Sequence, residues 1–188
     1  MIIDAPRSQL LVIDLQDKIL ATIQDHERLA SACIWLVGAA QRVGVPVAAT
    51  EHCAKTQGHV IAPMKALLPP DAVAGKSHFS AVAAQCLATL PGADRPQVVL
   101  LGVEAHVAVL QTALELMEEG KEVYVVADAI GARCDADRDL ALARLRQEGV
   151  RIVSREMVVC EWLGDARSPL WKEISREFLC ARGGPSRA

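Results

Sequence analysis

The chain has 188 residues, 52% apolar and 23% charged, with a formal net charge of −3. This composition supports one folded domain with a sizeable core and excludes a disordered chain, and the charge balance gives no general attraction to nucleic acid or an anionic membrane. Aromatic residues make up only 3%, too few for a base-stacking platform, and the apolar mass sits in Ala, Val and Leu, with thirty Ala.

No apolar run approaches the roughly 20 residues that span a bilayer. The first residues carry Asp4 and Arg7 ahead of one short apolar run, without a basic leader or a small-residue cleavage site, so a cytoplasmic location is expected. The six cysteines, at 33, 53, 86, 134, 160 and 180, form no CxxC pair and read as reduced thiols.

In chain order, Gln9–Leu15 is an apolar run long enough for a buried strand. Residues 25–43 read as a helix with Leu29, Cys33, Leu36, Val37 and Ala40 on one face, stopped by Gly44. Val47–Thr50 is a second strand, and a polar stretch, Glu51 to Gly58, follows it. Helical turns are expected near Pro63–Leu68, a weak third strand at Asp71–Gly75, and a helix over 81–89. Val98–Val103 is a buried strand. Residues 106–119 form a helix with Val109, Leu110, Ala113, Leu114 and Met117 inward. Val123–Ala127 is a strand with Asp128 at its end. Asp135–Glu148 is a helix capped by Asp135, and Val150–Val153 is the last strand. Helices at 155–163 and 168–180 close a single domain spanning 1–180, and 181–188 read as a frayed tail. Alternating helices and continuously apolar strands indicate an α/β domain whose parallel sheet is covered on both faces.

In such sheets ligands bind beyond the carboxyl ends of the strands. That rule selects Asp14, the Glu51–His59 loop, Lys76, the Glu104–Ala108 turn and Asp128. Asp14 and Lys76 follow separate strands, and a carboxylate beside an ammonium is a workable acid–base pair in a closed pocket. The same spacing suits a structural ion pair or a helix-capping Asp.

The run Leu11-Val12-Ile13-Asp14-Leu15-Gln16, then Lys76 before Phe79-Ser80, then Gly102-Val103-Glu104-Ala105-His106-Val107-Ala108-Val109-Leu110-Gln111-Thr112-Ala113 resembles the isochorismatase-like cysteine hydrolases. Asp128-Ala129, Arg138, Ala141-Leu142, Arg144-Leu145 and Glu161-Trp162-Leu163 are similar too, so the resemblance runs from about residue 9 to 180. It implies a three-layer α/β/α fold with a six-stranded parallel sheet of order 3-2-1-4-5-6. It also implies a Cys-Asp-Lys triad acting on amide C–N or ether bonds of small molecules. Asp14 matches the residue that takes the thiol proton, and Lys76 the residue that holds it. Val103–Glu104 matches a non-proline cis peptide that would turn backbone N–H groups toward an oxyanion. Gln16, Cys53, Phe79 and His106 are expected at the pocket wall, and no cofactor is expected.

The sequence departs from the family at the nucleophile, where Ala108 replaces the cysteine. The position suits a thiolate, since the first turn of a helix lowers a thiol pKa, but a methyl group attacks nothing. Three explanations stand: a substitution made to trap a ligand, a natural loss leaving a small-molecule binder or interaction protein, or chemistry supplied by another group. For the last, Glu51, His52 and His59 offer carboxylate and imidazole donors to a metal, and Cys53 a thiol, although the spacing does not match the Asp-His-His site of the nicotinamidase branch. The same residues suit an ordinary polar loop with satisfied histidines. The apolar excess leads us to expect a homo-oligomer with a small-molecule ligand and neither nucleic acid nor membrane as partner.

Overall fold

The apolar runs pair into one sheet in the computed structural model, which describes residues 2–176. β1 (Ser8–Ile13) is followed by a single-turn helix α1 (Asp17–Leu20) and the long helix α2 (His26–Val43). β2 (Val47–His52) leads through two further single turns, α3 (Ala54–Gln57) and α4 (Ala62–Lys65), to β3 (Val73–Lys76). β4 (Gln97–Val103) runs into a π-helical turn, Ala105–Val109, that continues as α5 (Leu110–Glu118). β5 (Glu122–Gly131), α6 (Asp135–Gln147), β6 (Arg151–Val153), α7 (Arg155–Leu163) and α8 (Pro169–Ile174) complete the order.

All neighbouring strands are parallel, in the order β3-β2-β1-β4-β5-β6. β1 is buried along its whole length because side chains alternate between two covered faces. Leu10 and Val12 enter the apolar layer with Leu36 and Val37 of α2 and Val158 and Val159 of α7, whereas Leu11 and Ile13 enter the layer with Ala113 of α5 and Leu145 of α6. The chain winds outward from the centre in opposite directions after β1 and after β4, so the crevice between their carboxyl ends is the switch point where such sheets bind ligands. Gly102 is needed there: its φ is +120°, and a Cβ would stand 2.1 Å from the carbonyl oxygen of Ile13.

Several local expectations are corrected. No helix forms over 81–89, because side chains take the N–H groups that a helix would start from. The Ala81 N–H goes to Thr112 Oγ1 at 3.1 Å, and the Ala83 N–H to Glu115 Oε2 at 3.0 Å. Gln85 then adopts a left-handed backbone, φ +53°, which ends the turn. β5 extends to Gly131 and so contains Asp128. Between its pairings with Leu100 and Gly102 of β4 the register shifts from Val125 to Ile130, and Asp128 falls in that irregularity. The residue preceding α6 in the cap position is Cys134, with Asp135 and Asp137 in the first turn. The end of the expected 168–180 helix and the 181–188 tail lie outside the described residues. Among the described residues no helix is long and apolar enough to cross a membrane.

Candidate active site

Asp14 follows the last residue of β1 with a left-handed backbone, φ +49°. Its carboxylate is held from two sides. Lys76, the last residue of β3, places Nζ 2.5 Å from Oδ2, and the Thr50 hydroxyl donates to Oδ1 at 2.7 Å. Thr50 Oγ1 also faces the Asp14 N–H at 3.3 Å. The remaining Lys76 protons go to the carbonyls of Phe79 at 2.9 Å and His78 at 3.3 Å, so all three ammonium donors have acceptors. The Lys76 and Asp14 side chains are only 0% and 3% exposed. Two opposite charges thus sit desolvated at the switch point, each neutralised chiefly by the other.

The turn after β4 borders the same crevice. The Val103–Glu104 peptide is cis. Glu104 O accepts from Val107 N at 3.1 Å and Val109 N at 3.2 Å, the longer bond being the i+5 span of a π turn. Ala108 lies within this turn, 4% exposed, in the buried layer that also contains Ile13, Ala105 and Val109. On the rim, Glu104 Oε1 pairs with Arg133 Nε at 2.9 Å.

The other sequence candidates spread around this centre. Gln16 is fully buried and ties two loops together: its side-chain oxygen accepts the His52 N–H at 2.6 Å, and its amide donates to the carbonyls of His52 at 3.0 Å and Gly58 at 2.6 Å. Cys53 has φ +45° and donates its N–H to Lys76 O at 2.8 Å. Phe79 stacks on His52, with ring centroids 5.5 Å apart. His106 Nε2 lies 3.8 Å from Asp137 Oδ2, while its Nδ1 is buried without a partner among the described residues. Asp128 is not brought to the pair; it holds the start of α7, accepting from the Arg155 N–H at 2.8 Å and pairing with Arg155 Nε at 2.9 Å.

The loop after β2 does not gather a metal set. Glu51 accepts the Val60 N–H at 2.8 Å and lies 3.0 Å from His59 Nδ1, while His52 leaves the strand on the opposite side and turns to Phe79. Among the described residues no group of three or more His, Cys, Asp or Glu is placed to hold a metal ion. Two groups near the pair escaped the sequence reading. Thr50 lay inside an apolar strand, where only its period-2 alternation with His52 marks its face. Cys86 lies within electrostatic reach of the pair. Burial pushes its thiol pKa up, with Lys76 pulling the other way, and Sγ sits 3.4 Å from Ala81 O.

Several cavities border the sheet. One of about 310 Å³ is lined by Gln9, Val98 and Leu116 and lies toward the amino ends of β1 and β4, away from the pair. Another of about 250 Å³ opens beyond the carboxyl ends, between Lys18, His52, Phe79, Glu104 and Arg133. The second lies at the end of the sheet where ligands bind in such folds, and Asp14, Lys76 and Ala108 are not among its lining residues.

Residues 8–157 match the isochorismatase domain model. The chain belongs to the isochorismatase family. It is 35% identical over 171 residues to isochorismatase domain-containing protein 2 of Danio rerio, covering 90% of this chain and 85% of that protein. A solved structure of MAR1 ribonuclease from Caenorhabditis elegans superposes with a TM-score of 0.85 at 29% identity, covering 100% of this chain and 97% of the other. The YcaC gene product of Escherichia coli, described as an octameric hydrolase of unknown specificity, gives a TM-score of 0.85 at 22% identity, over 96% of this chain and 92% of its own. The three-layer architecture and its strand order are those of this family.

Proposed function

We propose that the protein is an isochorismatase-family hydrolase scaffold for a small amide or ether-type substrate, with Ala108 standing where the nucleophilic cysteine of a Cys-Asp-Lys triad would be. The observation that carries this reading is the Asp14–Lys76 pair, desolvated and fully hydrogen-bonded at the switch point. Two buried charges are costly to keep where an apolar pair would pack as well, so their presence favours a site that still receives a ligand.

With a thiol at position 108 the chemistry balances on these residues. The Asp14 carboxylate takes the thiol proton, and sulfur bonds to the substrate carbonyl carbon. Lys76 holds Asp14 in place, and N–H groups of the Val103–Ala108 turn receive the oxyanion. Collapse breaks the C–N bond, the proton passes to the leaving amine, and water then cleaves the thioester. With Ala108 none of these steps begins, so the chain binds without cysteine-dependent turnover. Cys86 does not replace the missing group, since burial favours its protonated form, the opposite of what a nucleophilic thiolate requires.

The test is Ala108→Cys, screened against small amides. Turnover that is lost again in Ala108→Cys/Asp14→Asn supports the reading. A second reading, a binding or interaction protein with no dormant chemistry, is favoured by the methyl group itself and predicts that Ala108→Cys stays inert. Codon 108 of the source gene separates an introduced substitution from a natural loss. The net charge of −3 and the scarcity of aromatics favour a small molecule over RNA as ligand. We assign the protein to the cytoplasm and to a homo-oligomer, for which exposed Leu140 and Met157 supply apolar surface.

A further inference from the structure

We infer that His52, Phe79 and Lys18 form a selecting mouth beside the Asp14–Lys76 pair, shaped for a small planar carboxylate. This deepens the proposed function and rests on that reading of the pair as a ligand site.

Side chains alternate along β2, so Thr50 and His52 leave the same face of the sheet. Thr50 holds Asp14 from that face, and the β2–β3 register sets His52 opposite Lys76. Gln16 fixes the His52 backbone at both its N–H and its carbonyl. The imidazole therefore has a defined place beside the buried pair. Phe79 covers one side of it, with 24° between the ring planes, and is itself anchored by its carbonyl on Lys76 Nζ at 2.9 Å. Phe79 nevertheless remains 52% exposed. An aromatic ring held at its backbone and backed by a second ring, but open on its outer side, is a receiving surface for a flat group.

The hydrogen bonding of His52 adds direction. Its Nδ1 is buried and has no partner among the described residues. Nε2 is therefore the ring nitrogen left to meet a ligand. In the proposed pose Nε2 faces a ligand oxygen.

Charge supplies the last element. Arg133 on the rim is already paired with Glu104 at 2.9 Å. Lys18 Nζ donates to the neutral carbonyl of Thr56 at 2.8 Å and has no carboxylate partner among the described residues. One positive charge at the mouth is therefore left over, and a carboxylate on the ligand balances it. The cavity of about 250 Å³ falls just under the roughly 300–1,000 Å³ of pockets for drug-sized molecules, so the occupant is small. Such a ligand lies with its face on Phe79, sets an oxygen toward His52 Nε2 and carries its negative charge to Lys18.

Calorimetric titration of the unmodified protein with benzoate, benzamide and cyclohexanecarboxylate tests this. Benzoate is expected to bind more tightly than either of the others, by about tenfold. Lys18→Met is expected to abolish the preference over benzamide, and Phe79→Leu the preference over cyclohexanecarboxylate. Both side chains are exposed, and an unchanged melting temperature verifies that each variant is folded. Equal affinities for the three probes, no binding of benzoate, or folded variants that keep both preferences would overturn the inference. Turnover by Ala108→Cys alongside equal affinities would remove the selecting mouth while leaving the hydrolase reading in place.

Discussion

Lys76 Nζ lies 2.5 Å from Oδ2 of Asp14, at a depth where neither side chain meets solvent appreciably. Breaking such a pair leaves one uncompensated charge, at a cost of about 3–5 kcal/mol, whereas removing both charges is far cheaper. Lys76→Met and Asp14→Asn are each expected to lower stability by about that amount, and the double variant to recover part of the loss. Urea denaturation of the four proteins closes the cycle. Strictly additive losses would contradict the mutual neutralisation described above.

The Thr50 hydroxyl donates to Asp14 Oδ1 and faces the Asp14 N–H. Thr50→Val keeps the shape of the side chain and leaves buried polar atoms unmet, an expected loss of about 1–3 kcal/mol. The same denaturation experiment measures it. An unchanged midpoint would mean that water reaches Asp14 when the hydroxyl is gone.

Gly102 permits β4 to pass β1 at the crevice. Gly102→Ala places a carbon 2.1 Å from a backbone oxygen that cannot swing aside, at φ +120°. We expect a loss above about 4 kcal/mol or failure to accumulate as folded protein. Gly75→Ala is the control: among the described residues nothing lies within 4 Å of its Cβ position, and the change should stay within about 0.5 kcal/mol. Circular dichroism melts of both variants decide the point. A stable Gly102→Ala would contradict the close approach.

Burial pushes the Cys33 thiol from 9.0 up to about 12, outweighing the opposing effect of Arg155. Below pH 9 both folded and unfolded chains carry the proton, and its stabilising contribution is complete. Above pH 9 the unfolded chain ionises first, so stability falls, by about 1 kcal/mol per pH unit, until the folded thiol also titrates. Stability measured from pH 8 to 11 should decline more steeply for the unmodified protein than for Cys33→Ala. Parallel curves would contradict it.

How far the sequence reached depended on how local each signal was. Asp14 and Lys76 could be paired from sequence because each follows an apolar strand and the carboxyl-end rule brings such positions together. The sheet order came with the family resemblance, and the domain match over residues 8–157 and the observed topology agree with it. The helix expected over 81–89 failed for a non-local reason: the acceptors that capture its N–H groups, Thr112 and Glu115, lie some thirty residues on. Asp128 reads from sequence as a strand end because an irregularity that lets β5 continue leaves no mark in hydrophobicity. The Glu51–His59 loop resembled a ligand set in composition, but strand alternation sends Glu51 and His52 to opposite faces.

On the proposed reading, position 108 stands in a site still arranged to activate a thiol. Intact-mass spectrometry of Ala108→Cys treated with acrylamide at neutral pH, with peptide mapping of the adduct, measures this directly. One adduct is expected to form first at residue 108, ahead of exposed Cys134, and to form more slowly when Asp14→Asn is added. No adduct at residue 108, or one that forms no faster than labelling of Cys134 and ignores Asp14→Asn, would contradict it.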